Sequence, residues 1–246
     1  MTIGIVIPCY NEASRLDARR VSELADLLPP GSTVLTVDDG STDSTAEVLS
    51  HLAASDPRIA VLALHRNRGK AEAARQGLLA LLDRDHEVVG FTDADFATPV
   101  DEVARLAHVC ADGDDIAVLG SRVALLGHHI ERTAFRHYTG RVFGTIGSLV
   151  LGFEVYDTQC GAKFFTTCHQ LRHALSAEFH SRWSFDVELL GRLATPSNGL
   201  VPRLREVPLR EWHDVDGSKL TLSGSLRATL DLWTVRRALR RWHRAG

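Results

Sequence analysis

The sequence predicts an α/β fold, in which one mostly parallel sheet has helices on both faces and a basic, amphipathic helix ends the chain. Two observations carry this prediction. Short apolar runs alternate with helical segments of about ten or more residues along the first half of the chain, which is typical of a parallel sheet. Polar clusters directly follow several of these runs, at the edge where such sheets bind ligands. With 246 residues, 44% of them hydrophobic, the chain can form one large domain.

Strand and helix signals alternate regularly as far as residue 119. The predicted strands are 3–8, 34–37, 59–64, 88–91 and 116–119, and the predicted helices are 21–28, 44–52, 70–82 and 99–110. Pro29-Pro30-Gly31 stops the first helix, and Ser44 with Glu47 forms a capping box that opens the second. Apolar residues at helical spacing define the third helix, and Pro99 suits the first turn of the fourth.

The second half of the chain is less regular. It is predicted to contain a helix over 132–151, a short strand at 164–165, a helix over 185–193 and an edge strand over 204–209 that tolerates Pro208. The last helix is predicted over about 223–243. Arginines fill much of its polar side, at Arg236, Arg237, Arg240, Arg241 and Arg244. We therefore divide the chain into a main domain over 1–222 and an amphipathic C-terminal helix over 223–246.

Composition and simple motifs argue against several classes of protein. The net charge of −3 gives no reason to expect a nucleic-acid partner. The four cysteines have no CxxC spacing, which indicates free thiols in a reducing cytoplasm. No apolar run approaches the roughly 18 residues that cross a bilayer, and the chain opens on a strand, so neither a membrane span nor a targeting segment is expected. The histidines lack zinc-ligand spacing, and no Gly-x-Ser-x-Gly elbow supports a serine hydrolase.

Asp93 and Asp95 follow the predicted strand 88–91 and give the most informative site signal. Two carboxylates at the mouth of a parallel sheet are costly unless a positive group sits there. Hard oxygen ligands suit Mg²⁺ or Mn²⁺, and a diphosphate supplies the rest of the metal shell. An Asp-x-Asp by itself is more often a solvated turn, so the metal prediction depends on the clusters around it.

Two further clusters follow the first and second predicted strands. Asp38 and Asp39 precede Gly40, and a strand-to-helix turn explains the glycine but not two adjacent acids. The alternative, to which we give the same weight as the turn, is a carboxylate that accepts hydrogen bonds from the base or ribose of a nucleotide. Tyr10 and Glu12 can stack on a base and bind a ribose or an imide N–H, although a solvated loop also accounts for them.

Two cations are expected at the same edge. Lys70 opens a predicted helix, whose N-terminus attracts anions, although an ordinary surface helix start fits equally well. The segment lacks the two glycines of the full phosphate-loop motif. Arg122 follows a strand end, so the position rule for parallel sheets places it over the same edge as Asp93.

Three late segments mix charges with small residues. Asp157 lies in the polar segment 157–163, Asp186 and Glu188 start a predicted helix, and Lys219 ends a glycine-containing loop. The simple explanations are a polar turn for 157–163, acids favoured by the helix dipole for Asp186 and Glu188, and a plain loop for the segment that ends at Lys219. For the loop, the functional alternative is a lysine that closes over a phosphate.

Taken together, these motifs resemble the inverting glycosyltransferases of family 2, which have the GT-A fold. They are most similar to the polyprenyl-phosphate branch, and within it to the dolichyl-phosphate β-glucosyltransferases. Residues 5–12, 37–43 and 67–70 match the general family pattern. The patterns more specific to the branch are 157–165, 183–190 and 217–220. The resemblance therefore extends over nearly the whole chain.

The resemblance implies roles for the matching residues. Asp95 would ligate Mg²⁺ or Mn²⁺ directly, and Asp93 would help hold both the metal and the nucleotide. Arg122 would lie near the acceptor phosphate and the donor diphosphate. The nucleotide-sugar set is Pro8, Tyr10, Glu12, Asp38, Asp39, Lys70, Asp93, Ala94 and Ser218. The catalytic set is Arg122, Asp157, Asp186, Glu188 and Lys219, with Ser218 and Lys219 closing over the diphosphate.

The implied reaction moves a hexose from a UDP-sugar to a polyprenyl phosphate, with glucose as the first choice and N-acetylhexosamine open. Ala97 favours UDP over GDP, because mannosyl relatives often carry Gln there as a further metal contact. An ionised acceptor phosphate needs no strong general base, so the protein acts electrostatically. A GDP-mannose donor and a soluble hydroxyl acceptor are alternatives, and a hydroxyl acceptor would require one of the three late acids as base.

A polyprenyl acceptor implies a membrane. The basic final helix is predicted to lie on an anionic bilayer at the cytoplasmic face, with its apolar side in the interface. The competing interpretation packs that side on the domain and leaves the arginines in solvent. A sugar-1-phosphate nucleotidyltransferase lacks support because its glycine- and arginine-rich N-terminal loop is not seen here. The two metal acids argue against a non-catalytic sensor. The sequence leaves the exact sugar, the lipid length and homo-oligomerisation open.

Overall fold

A computed structural model describes residues 1–194, 203–214 and 222–245. Its centre is a seven-stranded sheet. The strands are β1 (Ile3–Cys9), β2 (Thr33–Asp38), β3 (Ile59–Ala63), β4 (Val88–Phe91), β5 (Ala117–Ser121), β7 (Lys163–Thr166) and β8 (Leu204–Pro208). Their order across the sheet is β3-β2-β1-β4-β7-β5-β8. All neighbours are parallel except β7, which runs antiparallel between β4 and β5. A separate short ribbon pairs β6 (His129–Ile130) with β9 (Glu211–Trp212).

Eight helices accompany these strands in the described part of the chain. They are α1 (Ala18–Asp26), α2 (Thr45–Ser55), α3 (Lys70–Leu82), α4 (Val100–Asp112), α5 (Ala134–Leu151), α6 (His169–Ala174), α7 (Phe185–Leu193) and α8 (Leu222–Ala245). The predicted bounds of the third helix, the fourth strand and the helix at 185–193 agree with α3, β4 and α7.

The sheet separates two apolar layers, and β1 shows why. Its side chains alternate between the two faces of the sheet. Ile5 lies in the layer that contains Leu24 of α1 and Leu106 of α4. Val6, the next residue, lies in the opposite layer with Leu78 of α3. Both faces of β1 are therefore buried, which is why the strand reads as a continuous apolar run.

Local differences from the sequence prediction have physical reasons. Ser44 makes no side-chain capping hydrogen bond at the start of α2, so the predicted capping box is wrong. Asp43 takes this role, because its Oδ1 accepts the backbone N–H of Thr45 at 3.0 Å. The short helix α6 and the β6–β9 ribbon carry too few residues for a periodic pattern, and they were not predicted.

The amphipathic character predicted for the last helix is confirmed, and its apolar side is packed on the domain. Leu232, Val235 and Leu239 of α8 are buried together with Phe143 of α5 and Val187 of α7. The predicted placement of this side in a membrane interface is therefore wrong. Its arginines from Arg236 onward are exposed. None of the helices in the described ranges is long and apolar enough to span a bilayer.

Candidate active site

The polar clusters predicted from the sequence meet at the carboxyl-end edge of the sheet. Cys9 of β1 is level with Asp38 of β2, and Val6 is level with Phe91 of β4. The residues that follow these strand ends therefore lie side by side. Pro8, Tyr10 and Glu12 are all partly buried there. The carboxylate of Glu12 pairs with Arg15 at 2.6 Å.

Asp39 fastens a second loop to this edge. Its two carboxylate oxygens accept the backbone N–H groups of Arg68 and Gly69, each at 2.7 Å. Burial raises the pKa of Asp39, although these two N–H groups and the nearby Arg182 oppose the increase. Asp39 thus positions the loop before α3, and with it Lys70. Asp38 closes its own turn, since its Oδ1 accepts the N–H of Ser41 at 3.0 Å.

Gly40 is required for this junction. Its φ of +66° is in the left-handed region that favours glycine. A Cβ atom on Gly40 would lie 2.5 Å from the carbonyl carbon of Arg66. The backbone of the β2 turn and that of the loop at 66–67 are therefore in direct contact, which a larger residue would prevent.

Lys70 and Asp93 form an ion pair at the centre of the edge. Burial alone would raise the pKa of Asp93, but Lys70, followed by Lys163 and Arg122, outweighs it and leaves the pKa below its ordinary value. Asp95 behaves differently, because burial and the negative charge of Asp93 raise its pKa. Ala94 is buried between the two acids.

The two acids fit a divalent cation whose other ligands come from a substrate. Asp93 already holds a positive group, the ammonium of Lys70, and Asp95 has a carboxylate destabilised by its neighbour. Within the described ranges, no three His, Cys, Asp or Glu side chains cluster as a complete metal cage. A site with two carboxylates suits Mg²⁺ or Mn²⁺, which commonly complete their shell with phosphate oxygens and water.

Arg122 and Asp157 form a second charged centre at the end of β5. The carboxylate of Asp157 accepts Nε and Nη2 of Arg122 at 2.7 and 2.8 Å and its backbone N–H at 3.1 Å. Burial would raise the pKa of Asp157, but Arg122 holds it well below its ordinary value. The guanidinium also lies over the ring of Trp212, 5.3 Å from its centroid. The pair is therefore fixed on two sides.

Arg132 is a partly buried cation that the sequence prediction did not include among the site residues. Burial lowers the pKa of Arg132, and the positive charge of Arg122 lowers it further. Arg132 falls just before α5, at the start of the helix predicted over 132–151. A single arginine there has no pattern that would distinguish it from a surface residue.

The three late acids have different surroundings. Asp186 lies 3.3 Å from Nζ of the fully buried Lys163, and its Oδ1 is buried with no hydrogen-bond partner. Burial raises the pKa of Asp186 despite Lys163 and Lys70. Glu188 is completely buried and binds Arg192 at 2.6 Å and His180 at 2.9 Å. Glu188 is thus held by an arginine and a histidine, whereas Asp186 faces a buried lysine. Ser218 and Lys219 lie outside the described residues.

Comparison with known proteins identifies relatives of this chain. The family described as Glycosyl transferase family 2 matches residues 4–167. The dolichyl-phosphate beta-glucosyltransferase of Drosophila melanogaster is 34% identical over 238 residues, which cover 90% of this chain and 70% of that protein. A dolichyl-phosphate beta-glucosyltransferase of Trichomonas vaginalis is 31% identical over 239 residues, covering 92% of this chain and 68% of that one.

A solved structure shows the same fold. Glucosyl-3-phosphoglycerate synthase from Mycobacterium tuberculosis, in complex with Mn²⁺, UDP and glucosyl-3-phosphoglycerate, superposes with a TM-score of 0.65 at 19% identity. The superposition covers 96% of this chain and 79% of that one. This likeness confirms the predicted GT-A type of α/β fold.

Proposed function

The chain belongs to the family 2 glycosyltransferases, and from this premise we propose that it transfers a hexose from a UDP-sugar to a polyprenyl phosphate. The observation that carries the proposal is the pairing of two charged centres on one sheet edge. Asp93, which pairs with Lys70, forms an acidic centre with Asp95, while Arg122 at the end of β5 and the partly buried Arg132 would form a cationic centre. An acidic centre suits a metal-bound diphosphate, and a cationic centre suits a phosphate acceptor.

On the donor side, Asp93 and Asp95 would hold Mg²⁺ or Mn²⁺ together with the diphosphate, and the residues around Tyr10 and Glu12 would hold the nucleoside. When bound, the metal would neutralise negative charge on the leaving diphosphate. Lys70 is paired with Asp93 in this structure, so it is close enough to meet the same diphosphate. Asp39 contributes by holding the backbone just before Lys70.

The reaction is a single displacement at the anomeric carbon. A phosphate oxygen of the acceptor forms the new bond to that carbon, while the bond from the carbon to the β-phosphate oxygen breaks and UDP leaves. The acceptor phosphate is ionised at neutral pH, so no proton has to be removed from it. Arg122 and Arg132 would hold this anionic nucleophile against an anionic donor, which is electrostatic catalysis.

A hydroxyl acceptor is the second candidate, because Asp186 has the features of a general base. Its buried Oδ1 has no hydrogen-bond partner, although it lies 3.3 Å from Nζ of Lys163, and burial raises the pKa of Asp186 above its ordinary value. The other two late acids are occupied by arginines, Asp157 by Arg122 and Glu188 by Arg192. With a phosphate acceptor, the carboxylate of Asp186 would instead accept a hydrogen bond from a donor-sugar hydroxyl.

Incubation with a panel of UDP- and GDP-sugars, a short polyprenyl phosphate and Mg²⁺ or Mn²⁺ tests the proposal. Nucleotide release and the mass of the lipid are both measured. We expect glycosylated lipid with UDP-glucose as the best donor, and Arg122→Gln is expected to lower this activity at least ten-fold, in line with the loss of a charged contact of about 1.5–3 kcal/mol. Transfer to soluble sugar acceptors alone, with loss of activity in Asp186→Asn, would select the hydroxyl alternative. GDP-mannose as the sole donor would overturn the choice of UDP.

A membrane-bound acceptor also requires contact with a bilayer, and we assign it to the outer side of α8. This side presents Trp233, which is 61% exposed, among the exposed arginines from Arg236 onward. Contact would be peripheral and largely electrostatic, because Leu232, Val235 and Leu239 of α8 are packed inside the domain.

A further inference from the structure

Glu206 on the edge strand β8 binds the turn that carries Asp157. Its Oε2 accepts the backbone N–H of Tyr156 at 2.7 Å, and its Oε1 accepts that of Asp157 at 2.8 Å. Two successive backbone N–H groups form a small anion-binding concavity, and here a carboxylate from the protein itself fills it. Glu206 therefore fastens this turn to β8, although it lies about 50 residues further along the chain.

The same turn holds Arg122. Asp157 accepts three hydrogen bonds from Arg122, and all three depend on where the backbone places Asp157. Trp212 bounds the guanidinium on another side. The chain of contacts thus runs from Glu206 to the 156–157 backbone, from there to the Asp157 carboxylate, and from that carboxylate to Arg122.

We infer that Glu206 is a positioning residue for the acceptor phosphate, an inference that rests on the proposed function. Glu206 does not touch the reacting atoms. It sets, through Asp157, the position of the guanidinium that receives the phosphate. Displacement of such a group by about 1 Å is enough to reduce the rate substantially. The carboxylate is needed because both of its oxygens accept, whereas an amide offers one acceptor and turns a donor toward the second N–H.

Glu206→Gln tests the inference, with Glu154→Gln as its matched control. Glu154 lies two residues before Tyr156, its side chain is exposed, and its substitution changes the charge equally. We expect Glu206→Gln to raise the KM for polyprenyl phosphate about ten-fold, the equivalent of one lost hydrogen bond to a charged group. The KM for UDP-glucose should stay within two-fold, and the control should match the unmodified protein. Equal increases in both KM values, or no increase in either, would contradict the inference.

A second measurement does not depend on activity. The Nε–H signal of Arg122 in a nitrogen-15 NMR spectrum is identified by its loss in Arg122→Lys. We expect this signal to shift and to exchange faster with water in Glu206→Gln, but not in Glu154→Gln. Glu206→Ala, which frees the same two N–H groups, serves as the second variant if the glutamine protein does not fold. An unchanged Arg122 signal overturns the positioning role. Failure of the unmodified protein to glycosylate polyprenyl phosphate overturns the proposed function alone.

Discussion

Gly161 marks the point where the segment after Asp157 reaches the acidic centre. A Cβ atom on Gly161 would lie only 2.2 Å from Oδ2 of Asp93, a distance that no side chain can occupy. The absence of a side chain therefore lets this backbone pass against the carboxylate. One short segment, from Asp157 to Gly161, touches both Arg122 and Asp93, and so it sets the spacing between the two charged centres.

Replacement of Gly161 by alanine should displace Asp93. We expect the affinity for Mn²⁺ in the presence of UDP to fall at least ten-fold, because a carboxylate that binds metal has to stay within a few tenths of an ångström of its place. Titration calorimetry measures this directly. Gly147→Ala is the control, since its Cβ would meet Thr158 at an ordinary 3.5 Å. Unchanged Mn²⁺ affinity in Gly161→Ala would show that Asp93 does not need this contact.

Individual residues differ in how well the sequence predicted their surroundings. Asp93 and Asp39 follow strand ends, so the position rule for parallel sheets was enough to bring them to one edge. Asp186 could not be distinguished from Glu188 by sequence, because both begin the same helix and both match the family pattern. The two acids differ in the cation that each one meets. Asp186 meets Lys163, which lies 23 residues earlier in the chain, and Glu188 meets Arg192, which lies one helical turn away.

At the scale of elements, the ribbon of β6 and β9 connects Trp212 to the acidic centre. The backbone N–H of His213 binds the carbonyl of Ala97 at 3.0 Å. The His213 ring lies between two acids, with Nδ1 3.1 Å from Glu131 and Nε2 2.6 Å from Glu211. Hydrogen bonds to Glu131 and then Glu211 raise the pKa of His213.

This arrangement predicts a pH-dependent contribution to stability. Because the folded pKa of His213 is raised, its stabilisation is complete below the unfolded value of about 6.5 and is lost as pH rises through the folded value. We expect the unmodified protein to melt at a higher temperature than His213→Gln near pH 6, and this difference should shrink above pH 8. Thermal unfolding of both proteins across this range provides the check. A difference that is constant with pH would rule out the charged histidine as its source.

Helix α8 offers a test of its docking on the domain. Leu239 is buried against α7, where a Cβ on Gly191 would lie 2.4 Å from Leu239 Cδ1. We expect Leu239→Ala to lower the free energy of unfolding by about 2–5 kcal/mol, the usual cost of a core cavity. Trp233→Ala, on the exposed side, should change it by about 0.5 kcal/mol or less. Urea denaturation measures both, and equal effects would mean that α8 is not packed as described.

An element could be predicted from the sequence when its own residue pattern determines its place, and not when that place depends on distant segments. The parallel strands were predicted because burial on both faces leaves a continuous apolar run. The strand at 164–165 was predicted too, but its antiparallel place between β4 and β5 depends on pairing with segments over 40 residues away, which local patterns do not encode. The same reason explains α8, whose apolar side could have met either a membrane or the domain.

At the scale of the whole molecule, α8 has its buried apolar residues on one side and its exposed arginines on the other. At about 100° per residue, the exposed Trp233 and the five arginines from 236 to 244 share an arc of roughly 140°. The buried residues Leu232, Val235 and Leu239 lie on the opposite side. The net charge of the chain is only −3, so this arc is a local concentration of positive charge on a nearly neutral protein. A surface of this kind favours peripheral binding to anionic lipid, in which each arginine contributes about 1 kcal/mol.

Neutralising part of this arc should weaken binding to anionic vesicles while the fold is retained. In the variant, glutamine replaces four arginines, namely Arg237, Arg240, Arg241 and Arg244. Its control removes the same charge from exposed arginines elsewhere, at Arg19, Arg84, Arg172 and Arg203. At 0.15 M salt, where charges are screened beyond about 8 Å, we expect co-sedimentation of the first variant with phosphatidylserine vesicles to fall at least ten-fold. Co-sedimentation of the control should stay near that of the unmodified protein. UDP binding should be the same in all three proteins, because the arc carries none of the donor-binding residues. Equal losses of vesicle binding in both variants would show that only the net charge of the protein matters. No loss in either variant would show that α8 does not bind the membrane surface.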